Sequence, residues 1–187
     1  LQSFAEGKIN PTPNWKITKE TSAVATIDAD KAHGLIICPK AMDIAIEKAK
    51  KVGIGAVTIH NSNHAGMMAY HAMRAMPHDM IGYAITGGGA VMVPTYGAEP
   101  RVGAVPHAWA VPADKMPPFV LDISSSSVAA NKIQLLRRTG ANLPPGLMAD
   151  EEGTPIMEEQ EVPSGVRLLP WGSTRELGSH KGYGMAV

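Results

Sequence analysis

The stretch from 22 to 60 constrains the fold most, because its hydrophobic period changes twice. SAVATID (22–28) alternates apolar and polar residues as a strand does. KAMDIAIEKAKKVG (40–53) instead repeats apolar residues at mostly helical spacing and stops at Gly53. GAVTIH (55–60) is short and β-branched, which again favours a strand. A strand, a helix and a second strand in succession predict an α/β fold.

The rest of the chain continues this alternation. The spacing predicts a helix over 65–76 that Pro77 closes. The serine run Ser124–Ser127 is expected to cap a further helix that stops at Gly140. Strands are predicted at three further places, namely 81–86, 107–111 and 118–124.

Composition narrows the class of partner. Lysine and arginine total 17 and aspartate and glutamate total 17, so no broad electrostatic field favours nucleic acid or an anionic membrane. A small-molecule partner fits better. No apolar run approaches the ~20 residues that cross a bilayer. The single cysteine, Cys38, excludes an internal disulfide, which is typical of a protein of the reducing cytoplasm.

The glycine motifs that usually announce a nucleotide are absent. Gly53-Ile54-Gly55 precedes a predicted strand instead of following one. The triple glycine 87–89 follows a strand but leads into AVMVPTYG, which is no helix start. GSHKGYG lacks the glycine spacing of a Walker loop. Cofactor binding therefore has to be argued from other residues.

His64 stands in TIHNSNHAG, at the junction between a predicted strand and a predicted helix. Ser62 or Asn63 is expected to cap that helix, leaving the histidine exposed at its mouth. An imidazole there can take a proton from a hydroxyl as a hydride leaves the same carbon. The alternatives are a surface or capping histidine, or a metal ligand with His60, for which no further ligands are at hand. His71, on the same helix, is expected to be a half-buried packing residue.

Two other segments carry candidate cofactor residues. LDISSSS (121–127) leads from a strand into a helix start, where backbone N–H groups favour an anion and Asp122 can accept from a ribose hydroxyl. The alternative is a plain serine N-cap; a serine hydrolase is disfavoured because the GxSxG elbow is missing. Near the end, Lys181 can reach a phosphate or a nicotinamide carboxamide, unless it is merely solvated surface.

Six segments, taken in order, resemble consecutive blocks of the type 2 malate/L-lactate dehydrogenase family. That family includes ureidoglycolate and sulfolactate dehydrogenases and diketogulonate and piperideine-carboxylate reductases. The blocks cover nearly the whole chain, and together they are more specific than any one alone. They are EGKINPTP, AMDIAIEKAKKVGIGAVTIHNSNHAG, MVPTYG, VLDISSSSVAANK, LPPGLMADEEGTP and LLPWGSTRELGSHKGYGMA.

The resemblance implies a non-Rossmann α/β fold, with a largely antiparallel sheet flanked by helices. It implies reversible hydride transfer between NAD or NADP and a small 2-oxo or 2-hydroxy acid, no metal, and a homodimer. Residues 1–78 and 170–187 would belong to a scaffold domain and 79–169 to a cofactor-binding domain. His64 would handle the proton of the reacting oxygen. The implied cofactor contacts are Gly88, Asp122, Ile123, Ser124, His180 and Lys181.

The chain departs from the family at two places and is expected to be a fragment. Gly103-Ala104-Val105-Pro106 replaces the usual Gly-Thr-Asn-Pro, which removes two polar side chains near the expected cofactor site. Ala65 replaces a residue that is often aromatic, which enlarges the expected pocket. Both family ends, including a Ser-His-Gly block, are expected to lie outside this sequence, so that the fragment alone is expected to be inactive. These departures support an alternative, a nucleotide-binding or interaction module of the same fold without catalysis.

Overall fold

The computed structural model describes residues 2–187. The chain divides into two compact units. The first comprises the residues up to Ala84 together with His107–Asp122, and the second comprises Ile85–Pro106 together with Ile123–Val187. The helices and strands are α1 (Gln2–Ala5), β1 (Lys16–Glu20), β2 (Val24–Ala32), α2 (Gly34–Val52), β3 (Ala56–Ser62), α3 (Met68–Ala72), a 3₁₀ helix (Met73–His78), β4 (Gly82–Ile85), β5 (His107–Val111), β6 (Phe119–Ile123), α4 (Ala130–Thr139) and α5 (Ser179–Gly184).

A mixed three-stranded sheet organises the first part of the first unit. β1 pairs with β2 in antiparallel orientation, and β2 pairs with β3 in parallel, from Val24 opposite Ala56 to Asp28 opposite His60. α2 makes the crossover that a parallel pair requires. The buried contacts between this helix and the sheet come from Ile27, Ala29, Ala32, Ile37 and Ala41.

α2 ends where the sequence predicts and begins earlier. Gly53 follows it with φ of 86°, the left-handed conformation that favours glycine at this position. The helical pattern was expected from Lys40, whereas α2 begins at Gly34 and continues through Pro39. His33 caps the helix, its Nδ1 accepting from a backbone N–H of the first turn at 3.3 Å. This cap sets the start of the helix.

A bulge in β2 anchors the chain beyond the end of β3. Three residues of β2 lie between Asp28 and Ala32, whereas one residue of β3 lies between their partners, His60 and Ser62. Asp30 and Lys31 lie in this interval with φ of 49° and 58°, values that side-chain-bearing residues adopt infrequently. The carbonyl oxygen of Lys31 accepts from Nδ2 of Asn63 at 2.9 Å. The bulge therefore holds the loop that leads into α3.

A second sheet, in the order β4-β5-β6, lies almost wholly in the first unit. α3 packs against β5 through small side chains, Ala69 and Ala72 on the helix and Ala108 and Ala110 on the strand. All four alanines are less than 5% exposed. Because alanine is small, the two backbones approach each other closely.

The second unit has its own core. α4 buries Ile133 and Leu136, which join Met92 and Leu168 in one apolar cluster. Gly140 ends α4 with φ of 65°, as the sequence predicts. Five of the six isolated β-bridges of the described chain are antiparallel, and all lie in this unit.

The predicted α/β class is confirmed, whereas several local predictions are wrong. The helix expected over 65–76 is divided into α3 and the 3₁₀ helix, which includes Pro77. The serine run does not cap a helix, because α4 begins at Ala130 after an N-cap, Ala129, without a side-chain hydrogen bond. β1 had no predicted counterpart, since all five of its residues are exposed and carry no hydrophobic pattern.

The division into units follows different boundaries from the expected domains. The chain passes from one unit to the other after Ala84, Pro106 and Asp122. The sequence analysis instead places the boundaries between the scaffold domain and the cofactor-binding domain after residues 78 and 169. The assignment of those parts to roles stays a prediction. Among the described helices, none combines the length and the apolar character needed to cross a membrane.

Candidate active site

His64 lies, exposed, in the loop between β3 and α3, at the junction that the sequence predicts. Its backbone carbonyl accepts from the N–H of Gly34, the first residue of α2, at 3.1 Å. A Cβ on Gly34 would lie 2.4 Å from Cα of Ala65, so the two backbones are in direct contact. The start of α2 thus fixes the backbone of the His64 loop.

The residues just before the candidate histidine do not cap α3. Ser62 is the last residue of β3, and Asn63 donates through Nδ2 to the carbonyl oxygens of Lys8 and Lys31 at 3.2 and 2.9 Å. The N-cap of α3 is Met67, which makes no side-chain hydrogen bond there. The prediction of a cap by Ser62 or Asn63 is wrong, because the strand and the β2 bulge use these residues first.

The peptide between Ala65 and Gly66 makes two hydrogen bonds with histidine side chains. The backbone N–H of Gly66 donates to Nδ1 of His64 at 3.0 Å, and Nε2 of His71 lies 2.7 Å from the carbonyl oxygen of Ala65. His71 is 2% exposed, so the prediction of a half-buried packing residue understates its burial and misses its hydrogen bond. A histidine among the alanines and methionines of one helix is the signal that sequence reasoning had available.

Asp122, at the end of β6, caps α3. Its Oδ2 accepts from the backbone N–H of Ala69 at 2.7 Å, in the first turn of the helix. A carboxylate at this position satisfies a free N–H group and interacts well with the helix dipole. The helix that carries His71 is therefore held from both sides, by Asp122 and by the His64 loop. The predicted contact of Asp122 with a ribose stays a prediction.

The serine segment after β6 does not offer a helix start to an anion. Ser127 donates through Oγ to the carbonyl oxygen of Pro170 at 2.6 Å, and Oγ of Ser125 accepts from the N–H of Val105 at 3.1 Å. The helix begins only at Ala130. The predicted helix start at the serine run is therefore wrong, and two of its hydroxyls bind backbone groups of the second unit instead. The contact of this segment with a cofactor stays a prediction.

Gly88 lies in an open loop beside the 103–105 segment. A Cβ on Gly103 would lie 2.7 Å from the carbonyl oxygen of Gly88, so these two glycines touch. A Cβ on Gly88 itself would meet nothing within 4 Å. Val105 is bound to Ser125, the neighbour of Ser124. The structure thus connects the predicted contacts Gly88 and Ser124 through the 103–105 segment.

His180 and Lys181 are exposed on α5. Nδ1 of His180 accepts from Nη1 of Arg175 at 3.0 Å, which adds an exposed guanidinium that the sequence analysis did not single out. Ser179 anchors the start of α5, because its Oγ lies 2.8 Å from Oγ of Thr95. The segment therefore presents basic groups on an anchored backbone.

The predicted site residues are distributed over both units. Within the first, His64 and Asp122 are connected through α3; in the second, Gly88 and Ser124 are connected through 103–105. No group of three or more His, Cys, Asp or Glu side chains among residues 2–187 is arranged to hold a metal ion. The first unit holds His64 and Asp122, and the second holds Gly88, Ile123, Ser124, His180 and Lys181.

Comparison with known sequences gives a consistent result along the whole chain. The family model described as malate/L-lactate dehydrogenase matches residues 1–187. The chain is 41% identical over 188 residues to a malate dehydrogenase of Pyrococcus abyssi, and 39% identical over 181 residues to an L-sulfolactate dehydrogenase of Methanocaldococcus jannaschii. These alignments cover 100% and 97% of the chain, but 52% and 50% of the relatives. The chain spans about half the length of the curated relatives it matches.

Solved structures agree with the sequence comparison. The sulfolactate dehydrogenase of Methanocaldococcus jannaschii superimposes with a TM-score of 0.82 at 38% identity, over 98% of this chain and 51% of that one. A malate dehydrogenase of Entamoeba histolytica gives a TM-score of 0.88 at 32% identity, over 99% of this chain and 53% of that one. Since sequence and fold match over the same nearly complete range, the chain belongs to the malate/L-lactate dehydrogenase family.

Proposed function

We propose that the full-length protein transfers a hydride between C4 of a nicotinamide nucleotide and C2 of a small 2-oxo or 2-hydroxy acid. In the reducing direction C2 gains the hydride, the carbonyl π electrons move to the oxygen, and the oxygen takes one proton. The products are a 2-hydroxy acid and the oxidised nicotinamide. Membership of the family over residues 1–187 supports this reaction class.

The single observation that carries the proposal is the placement of His64. Its side chain is exposed, while its carbonyl is bound to Gly34 and its Nδ1 to Gly66. A catalytic acid or base has to be both accessible and held in place. Histidine is the side chain best suited to exchanging a proton near neutral pH. We therefore assign the proton of the reacting oxygen to His64.

The second unit has residues that suit a dinucleotide. A Cβ added to any glycine of the 87–89 loop would meet nothing within 4 Å, so a ligand can approach this backbone. Arg175, His180 and Lys181 are exposed donors of the kind that phosphates bind. The nicotinamide nucleotide, when bound, supplies or accepts the hydride. We assign its contacts to Gly88, Ile123, Ser124, His180 and Lys181 of this unit, and we retain the predicted contact with Asp122 of the first unit.

Substrate, assembly and location follow as parts of the same proposal. We propose a small 2-hydroxy acid, or the matching 2-oxo acid, as the substrate; relatives named for malate and sulfolactate support this. We propose that the protein is cytoplasmic, which is consistent with its single cysteine, Cys38. We also propose that it is a homodimer, as the family resemblance implies. Sedimentation equilibrium of the full-length protein tests the dimer, and comparison of NADH with NADPH tests the cofactor.

Turnover of the full-length protein tests the reaction. NADH or NADPH oxidation is measured against a panel of 2-oxo acids, for the wild type and for His64→Gln. We expect the substitution to lower kcat by roughly 10²- to 10⁴-fold, because the reacting oxygen loses its proton donor and acceptor. His78→Gln, at another exposed histidine, is the matched control and should keep wild-type turnover.

The outcomes separate the proposal from its alternative. A near-normal kcat in folded His64→Gln would show that a different residue exchanges the proton. Binding of NADH or NADPH without turnover of any acid in the panel would favour a catalytically incomplete nucleotide-binding module.

A further inference from the structure

The peptide unit between Ala65 and Gly66 lies between two imidazole rings. Its carbonyl oxygen is 2.7 Å from Nε2 of His71, and its N–H donates to Nδ1 of His64 at 3.0 Å. Both hydrogen bonds use the same planar amide, so neither partner can keep its bond if the plane turns. The buried histidine and the exposed histidine are therefore coupled through one rigid group.

These two contacts determine which nitrogen of each ring carries a hydrogen. A carbonyl oxygen only accepts, so Nε2 of His71 is the protonated nitrogen. A backbone N–H only donates, so Nδ1 of His64 is bare and the neutral ring carries its hydrogen on Nε2. Nε2–H is a donor, which suits the oxygen of a 2-oxo acid. It does not suit the hydroxyl hydrogen of a 2-hydroxy acid. Proton donation from Nε2 starts from the imidazolium and proton uptake at Nε2 starts from the Nδ1–H tautomer, and in both forms Nδ1 no longer accepts from Gly66.

The hydrogen bond from His71 opposes rotation of this amide plane, and close neighbours surround the peptide. Gly66 has φ of 77°, in the left-handed region where glycine is favoured, and a Cβ there would lie 2.6 Å from Cδ2 of Leu35. Ala65 is pressed against Gly34 on its other side. If the plane turned, His71 would lose its hydrogen bond to Ala65. A buried polar group without a partner is costly.

If His71 only filled space, its buried polar ring would be an energetically unfavourable choice of side chain. It is 2% exposed, and its Nδ1 has no hydrogen-bond partner within the described part of the chain. An apolar side chain of similar size would fill the same space without an unsatisfied nitrogen. The donor at Nε2 is the property that distinguishes histidine from such a residue here.

We infer that His71 is a positioning residue that, through the Ala65–Gly66 peptide, selects the Nε2–H tautomer of His64 and so favours binding of a 2-oxo acid over the corresponding 2-hydroxy acid. The preference for one substrate form rests on the proposed function. The selection of the tautomer does not, because it follows from the two hydrogen bonds alone.

The tautomer is measured first, without any turnover. Long-range ¹H–¹⁵N correlation spectra of the full-length protein, with ¹⁵N-labelled histidine, distinguish the two neutral tautomers, and His64→Gln identifies the His64 signals. We expect Nε2–H in the wild type. In His71→Leu, which removes the donor, the Nε2–H to Nδ1–H ratio should fall about 3- to 10-fold, the effect of one hydrogen bond. His71→Gln, which can place an N–H at a similar reach, should restore it.

Substrate binding is the second readout. In His71→Leu the KM of the 2-oxo acid should rise by a similar factor of about 3 to 10, while that of the 2-hydroxy acid stays within about twofold. Met68→Leu, on the same buried helix, is the packing control and should change neither readout. A merely structural role of His71 would change both KM values together.

Several results would overturn the inference. Nδ1–H in the wild type would do so even if every variant failed to fold. An unchanged tautomer ratio in folded His71→Leu would do so as well, as would a failure of folded His71→Gln to restore it. Absence of turnover on any acid, combined with the expected spectra, would refute the reaction and the substrate preference while leaving the tautomer selection standing.

Discussion

Replacement of Gly34 by alanine tests whether the start of α2 positions the His64 loop. Within a helix, alanine is normally about 1 kcal/mol better than glycine. Here the added methyl group would lie 2.4 Å from Cα of Ala65, and 2.8 Å both from its nitrogen and from the carbonyl oxygen of Asn63. All three are backbone atoms, so the clash can be relieved only by separating the loop from the helix.

The magnitudes decide between these opposing effects. Overpacking of this kind costs roughly 1–3 kcal/mol. Separation also weakens the hydrogen bond from Gly34 N–H to the His64 carbonyl, worth about 0.5–1.5 kcal/mol. We therefore expect Gly34→Ala to lower the free energy of unfolding by about 2 kcal/mol. If the loop moves by ~1 Å, kcat should fall by up to about 10²-fold as well.

Urea unfolding and turnover of the full-length protein measure the two effects. Gly184→Ala is the matched control, because a Cβ there would meet nothing within 4 Å. The control should be neutral or slightly stabilised. If Gly34→Ala proved as stable as the wild type with unchanged kcat, the argument that this glycine positions the loop would be refuted.

Three further substitutions or conditions give separate tests. Asp122→Ala removes the cap of α3 and should cost about 1 kcal/mol in urea unfolding; an unchanged midpoint would show that the cap is unimportant. Hydrogen bonds from the Asp30 N–H and the Asn61 amide lower the pKa of Asp28. This carboxylate therefore stabilises the fold at a pH above its unfolded pKa, and the stabilisation is lost as the pH falls through the lowered pKa. The acid-induced loss of unfolding free energy should accordingly be shallower in Asp28→Asn, and an identical slope would contradict this. Burial raises the pKa of the Cys38 thiol, so iodoacetamide at about pH 8 should alkylate the native protein more slowly than the unfolded one, and equal rates would argue against it.

The elements that the sequence predicts are those with a local pattern. β2, β3 and the end of α2 follow from alternation, helical spacing and the left-handed Gly53. β1 is exposed at every position and exists because it pairs with β2, which no local pattern records. The first turns of α2 contain Pro39, which local rules place outside a helix, whereas the His33 cap starts the helix before it.

The candidate site divides in the same way. His64 is predictable, because a histidine at a strand-to-helix junction has a chemical use that the sequence displays. Its surroundings are not predictable, since the hydrogen bond from His71 to the Ala65 carbonyl oxygen depends on the position of α3 relative to the loop. The serine run was misread because a hydroxyl near a helix usually caps it. In the fold, Pro170 and Val105 reach these hydroxyls first.

Alanine at the contact between α3 and β5 limits how this part of the protein can change in evolution. In a leucine-rich core the damaging substitutions remove volume. At Ala69, Ala72, Ala108 and Ala110 there is little volume to remove, and any larger side chain has to push the helix away from the strand. A saturation scan should therefore find that side chains larger than alanine destabilise the protein at these positions. In most cores the destabilising substitutions are those to smaller side chains. Substitutions near His64 are therefore expected to accumulate at the exposed residues of α3.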